Sequence, residues 1–225
     1  PPFPALVNET HPLLPPTAAP HSPRRKQCAT PFHGEPIDRY ADMISEAAAR
    51  ALDKWPAGEP FSLAPRMQAI TLDVNMAGIF GIEGKPERGT PEHGLRTAVR
   101  NLVAASTWPI AQFAELLNIG SDEPVGPTKA GLAILDRPTY QVIRERRSSD
   151  LTGRNDILSL LLQATTEDGE KLTDQELRDE LLTLVLAGHE TTANSLAWAW
   201  ERLVRWPEAH DRLRDAVRSG DGADE

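Results

Sequence analysis

A single cysteine, Cys28, in 225 residues excludes an internal disulfide and lends no support to secretion. No apolar run approaches the roughly 18 residues needed to cross a membrane. No basic start followed by an apolar core and a small-residue cleavage site marks a leader. Positive charge is scarce: 24 Lys and Arg stand against 33 Asp and Glu, a net charge of −9. Phosphate backbones would repel such a chain, so nucleic acid is excluded as a natural partner. Together these absences predict a cytoplasmic protein without a membrane segment. Aromatic residues make up only 5% of the chain, and no alternating strand pattern or internal repeat is visible.

What remains is ordinary in bulk, with 40% hydrophobic and 25% charged residues, as in soluble globular domains. Eight of the twenty prolines fall within residues 1–23. That segment is expected to run extended, ahead of a single domain over 24–225. Helical spacing then takes over. Residues 36–55 carry a stripe of Ile37, Tyr40, Ala41, Ile44, Ala48, Ala51 and Leu52, with Pro36 at the first position. Residues 63–80 predict a second helix with Met67, Ile70, Val74 and Ile79 inward, closed by a loop at Gly81, Gly84, Pro86 and Gly89. Further helical material spans 95–117, broken at Pro109, with a loop over 120–127. A helix over 136–147 ends on Arg144, Arg146 and Arg147, whose charge suits the helix dipole. Asn155 and Asp156 cap a short helix, and another is expected over 209–217.

One stretch, residues 173–207, is organised differently from the rest. Thr173 and Glu176 form a capping box, and Pro207 disfavours helical geometry in the residue before it. Between them lies one long helix, about 173–206, in which residues 181–187 are apolar nearly all round and are expected to be buried on every face. At its centre sit Ala187, Gly188, His189, Glu190, Thr191 and Thr192. Burying a carboxylate there without partners is costly. A ligand groove accounts for the interruption. Gly188 lets a bulky ligand approach the backbone, Thr191 can bond back to the Ala187 carbonyl, and Glu190 beside it makes an acid–alcohol pair able to pass protons through water. A solvent-facing polar patch, or a kink where another helix crosses, fits the same residues. A zinc-protease HExxH motif does not, because the second histidine position is Ala193.

Residues 187–192 resemble the oxygen-activation motif, (A/G)Gx(D/E)T(T/S), in the distal helix of cytochrome P-450 haem-thiolate monooxygenases. The flank from Trp200 through Glu208 is similar to the segment that ends that helix and begins the next. The resemblance implies a mainly α fold, the central and distal portion of the cytochrome P-450 fold. It implies haem as cofactor, a small apolar organic substrate, O2, and an electron-donor redox protein, either a ferredoxin or a reductase. On the same ground Glu190 and Thr191 are the catalytic candidates, and Ala187 and Gly188 face the cofactor. His21 and Arg25, with Pro31, Phe32 and His33 after them, resemble the family's (W/H)xxxR helix and the P-x-F that follows it. An imidazole and a forked guanidinium there would hold the haem propionates, although Pro23 falls between the two. A basic turn on a solvated surface is the alternative for that cluster.

The resemblance covers only the middle portion of a full-length family member. No Glu-x-x-Arg occurs in the 225 residues, and the one cysteine lies outside any Phe-x-x-Gly loop. Cys28 is therefore expected to be a small buried residue, with no axial ligand in this chain and no monooxygenase activity from these residues alone. The second expectation, from a different class, is a non-catalytic helical binding protein derived from the same scaffold.

Overall fold

Thr173 fixes the start of the longest element. Its hydroxyl accepts the Glu176 backbone N–H at 3.2 Å, while the Glu176 carboxylate accepts the Thr173 backbone N–H at 2.8 Å. Two donors orphaned at the helix start are thereby satisfied reciprocally. A computed structural model describes residues 36–106, 126–165 and 169–220. The Pro-rich segment, His21, Arg25, Cys28 and the break at Pro109 lie outside the described residues.

Seven helices are described: α1 Pro36–Leu52, α2 Leu63–Phe80, α3 Pro91–Ser106, α4 Gly126–Ser148, α5 Ile157–Gln163, α6 Asp174–Arg205 and α7 Pro207–Ser219. Helix α6, with 32 residues, is ~48 Å long at 1.5 Å per residue. It stops where expected, with Trp206 as its cap and Pro207 opening α7. Helix α2 lies along α6, α1 covers α2, and α3 packs on α4. Leu72, Met76 and Phe80 of α2 share one apolar core with Leu95 and Val99 of α3, Leu135 and Ile143 of α4, Leu158 and Leu161 of α5, and Leu177, Leu181 and Val185 of α6. Among the described residues the sole β feature is an isolated bridge between Thr165 and Lys171. None of the described helices is long and apolar enough to cross a membrane.

Three features, one in α1 and two in α4, depart from their sequence pattern. In α1 the buried residue is Ala47, whereas Ile44 and Leu52 are 45% and 51% exposed. Helix α1 approaches α2 closely at Gly78, where an added Cβ would lie 3.4 Å from Met43 Cε. A seam of small residues leaves the flanking side chains uncovered. Helix α4 begins ten residues before Asp136, with Pro138 inside it. A start at Asp136 would place Pro138 in the first turn, where proline is tolerated. Instead the ring sits mid-helix against Gly94 of α3, 3.5 Å from where a Cβ on that glycine would be. Packing has overridden the lost backbone hydrogen bond.

The third departure is Arg146, which is buried and does not cap a dipole in water. Its Nη1 donates to Asp156 Oδ1 at 2.6 Å and to Ser159 Oγ at 2.7 Å, and its Nη2 donates to the Phe80 carbonyl at 2.6 Å. Asp156 also caps α5 by accepting the Ser159 N–H at 3.0 Å. The ends of α2 and α4 and the start of α5 therefore meet on one guanidinium. Gly81 completes the joint, since its φ is +64° and an added Cβ would lie 2.8 Å from Asp156 Oδ2. Removing one partner of a buried ion pair strands the other, at about 3–5 kcal/mol. Arg146→Ala should lose that much stability in urea unfolding, whereas Arg144→Ala, at an exposed position, should stay within about 0.5 kcal/mol of the parent.

Candidate functional site

Helix α6 is amphipathic in a way that changes along its length. Leu177, Leu181, Leu182 and Val185 are buried, and beyond them only His189 and Ala193 remain so. The run 181–187 is consequently not enclosed on every face: Leu184 and Leu186 are half-buried and Ala187 is exposed. A helix flanked on one side keeps an open side whatever its local composition. On that open side Ala187, Thr191, Asn194 and Trp198 follow one another at spacings of three and four, a single stripe at 3.6 residues per turn.

Within the stripe, Thr191 Oγ1 donates to the Ala187 carbonyl at 2.5 Å, and Ser195 Oγ donates to the Thr191 carbonyl at 2.9 Å. The Thr191 proton is thus directed at Ala187, and not at the neighbouring, half-buried Glu190. Gly188 is turned toward α2, where an added Cβ would meet Asn75 Oδ1 at 3.2 Å. Its missing side chain serves helix–helix approach there. Where the motif lies, the open face carries small and hydroxyl-bearing groups, Ala187 and Thr191.

Two buried polar residues of α6 were not singled out from sequence. Glu180, 1% exposed, lies seven residues before Ala187 and eleven before Thr191 and so shares their line of the helix. His189, 2% exposed, lies against α2 beside the Gln68 backbone. The one available signal was its register with Val185 and Ala193.

The cytochrome P450 family profile matches residues 8–221. This chain belongs to the cytochrome P450 family. It is 37% identical over 217 residues to "Putative cytochrome P450 137" of Mycobacterium tuberculosis, covering 89% of this chain and 42% of that protein. It is 35% identical over 206 residues to "Putative cytochrome P450 135B1" of Mycobacterium bovis, covering 90% of this chain and 42% of that protein. The chain therefore spans less than half the length of these relatives. Among solved structures, the heme domain of cytochrome P450DA is 27% identical, with a TM-score of 0.62 over 86% of this chain and 42% of that one. The cytochrome P450 CYP102L1 shares the fold with a TM-score of 0.72 at 19% identity, over 96% of this chain and 46% of that one. The mainly α architecture read from sequence is thus that of a haem-thiolate monooxygenase family.

Burial acts on the two buried ionisable groups of this cytochrome P450 helix, Glu180 and His189, in opposite senses. It pushes the Glu180 carboxyl up from 4.5 to about 7, with the charges of Asp179 and Glu176 adding to the effect. It holds the His189 imidazole below the ordinary histidine value, against the pull of the Gln68 backbone and the Glu190 charge. A raised carboxyl favours folding at low pH, fully so below about 4.5, and that contribution is lost as pH rises through about 7. The loss is on the order of 3 kcal/mol. Glu180→Gln, which keeps the shape and cannot ionise, should match the parent at pH 4.5 and exceed it in stability at pH 8. Urea midpoints at the two pH values measure the difference.

Proposed function

We propose that these residues form the distal wall of a haem monooxygenase that inserts one oxygen atom from O2 into a small apolar organic substrate. Family membership gives the chemistry, and one observation supports the placement: the Thr191 hydroxyl stands on the uncovered face of α6, bonded back to the Ala187 carbonyl. The bound haem supplies oxygen activation, with electrons from a ferredoxin or a reductase. This chain's own residues do the rest. Ala187, with its small side chain on the uncovered side of α6, leaves room for the ring. Thr191 Oγ1 carries a proton that points at a carbonyl and can swing toward the open face. Glu190, one residue away and half-buried, can restore that proton through water, the role of a general acid. His21 and Arg25 would hold the propionates, as their charge-assisted hydrogen bonds suit carboxylates.

In the full-length protein that carries these residues, Thr191→Ala should leave reductant consumption running while product per electron falls. Groups acting in proton transfer typically contribute about 10²–10⁴-fold. Thr191→Ser, retaining the hydroxyl, should recover most of the coupling, and unchanged coupling in the alanine variant would remove Thr191 from the mechanism. Haem absorbance separates this reading from a non-catalytic binding protein, which would show none at any stoichiometry.

Cys28 is the only thiol in the 225 residues, and it follows three residues after Arg25. One helical element there would rise only about 4.5 Å between them, too little to serve both the edge and the centre of a porphyrin. Residues 1–225 mixed with haem, reduced and exposed to carbon monoxide should therefore lack the red-shifted Soret band of a thiolate-ligated carbonyl. Its appearance would make Cys28 the ligand.

A further inference from the structure

Arg146 gathers the end of α2 and the start of α5 onto α4 through Asp156, Ser159 and the Phe80 carbonyl. All three partners lie outside α6, so α2, α4 and α5 form a cradle held together without the long helix. The apolar seam of that cradle holds α6 in place sideways but marks its lengthwise position poorly. Leu177, Leu181 and Val185 recur every four residues, about one helical turn. Sliding α6 by one turn returns an apolar side chain to two of these three sites, and hydrophobic contact has no direction with which to resist the exchange. One steric mark stands further along, where Gly188 faces the Asn75 side chain of α2.

The marks on the α4 side are charged and directional. Arg178 Nε donates to Asp136 Oδ1 of α4 at 2.7 Å, and its Nη1 donates to Asp179 Oδ1 at 2.6 Å. The Arg178 side chain is only 18% exposed. One turn earlier on α6, Asp174 Oδ1 accepts from Arg147 Nη2 of α4 at 2.6 Å, and the Leu172 carbonyl accepts from the same nitrogen at 3.2 Å. The signs alternate, since α4 offers an acid to Arg178 and a base to Asp174. A one-turn slide in one direction would bring Arg178 beside Arg147. The opposite slide would bring Asp174 beside Asp136. Either way like charges meet. Pairs this open to water add little stability, yet charges flanking an apolar seam select its alignment, as in coiled coils. We propose that Arg147 and Arg178 are positioning residues: their hydrogen bonds to Asp174 and Asp136 fix the lengthwise register of α6 in the cradle, and with it the level at which Ala187 and Thr191 stand. The importance of that level rests on the function proposed for Thr191, but the register can be read without it.

In the 225-residue chain carrying Cys28→Ser, spin labels at two exposed positions, Glu145→Cys on α4 and Ala199→Cys on α6, report the register. From Asp174 to Ala199 the axis runs about 37 Å, and a slide of one turn changes the label separation by about 6 Å. Arg178→Glu repels Asp136 in the parent register and is relieved beside Arg147, so a shorter distance should appear. Asp174→Arg repels Arg147 and is relieved beside Asp136, so a longer one should appear. Asp136→Arg combined with Arg178→Glu reverses the pair in place and should return the parent distance. Pairs that only add stability predict no displacement in any folded variant. Unchanged distances in both single variants, or shifts of the same sign, would overturn the proposal. Should a reversal fail to fold, Arg178→Gln and Asp174→Asn remove one attraction without adding a repulsion. Their distance distributions should broaden toward short and long values respectively, and distributions like the parent's count against the idea. In the full-length protein Arg178→Glu should also lower product per electron, and the double reversal should restore it. Displacements as expected, together with coupling untouched by Thr191→Ala, would leave the charged register standing and remove the function assigned to Thr191.

Discussion

Leu177, Leu181 and Val185 of α6 lose nearly all contact with water in the core they share with Leu72 and Met76 of α2. Burying side chains of this size contributes about 1.5–3 kcal/mol each, and without it a 32-residue helix would have no reason to hold its place. The remaining architecture follows from that seam. Helix α1 reinforces α2 from outside, while α4 and α5 close the near end of α6. Because the covering helices stand on one side, the opposite side of α6 past Val185 is left open. The stripe through Ala187 and Thr191 is a consequence of where α2 lies.

Polar groups within this core are handled in two ways. At the joint of α2, α4 and α5, Arg146 meets Asp156, Ser159 and the Phe80 carbonyl, all of its partners being supplied by the chain. A charge so surrounded is tolerated and orients three helix ends at once. Along α6 the chain shifts protonation instead: Glu180 is pushed toward its neutral acid and His189 toward its neutral base. Exposed ion pairs, such as Arg147 with Asp174 at 2.6 Å, add little by comparison, since water screens them.

The open face of α6 joins the chemistry to the packing. Small and hydroxyl-bearing side chains sit there in one stripe, and Trp198 and Trp206, both largely exposed, lie further along with Arg202 over each ring. The family relatives that match this chain are more than twice its length. In this chain the motif is carried by a helix packed against α2 from behind, and its exposed side is the side that its own core does not need.

Sequence alone determined whatever is decided within about one helical turn. The capping box at Thr173 and Glu176, the stop at Pro207, the bounds of α2, and the Thr191 hydroxyl turned back on Ala187 are all contacts between residues at most four apart. Tertiary structure decided what depends on partners distant in the chain. Arg146 reads as a cationic helix end because its acceptor at Phe80 is 66 residues away. Pro138 reads as a helix start because Gly94, which packs against it, belongs to another helix. Glu180 draws no notice in the sequence, and residues 181–187 read as wholly enclosed, because burial is set by which helices lie alongside. Local chemistry could place the motif on a helix, but only packing against α2 could choose the face it presents.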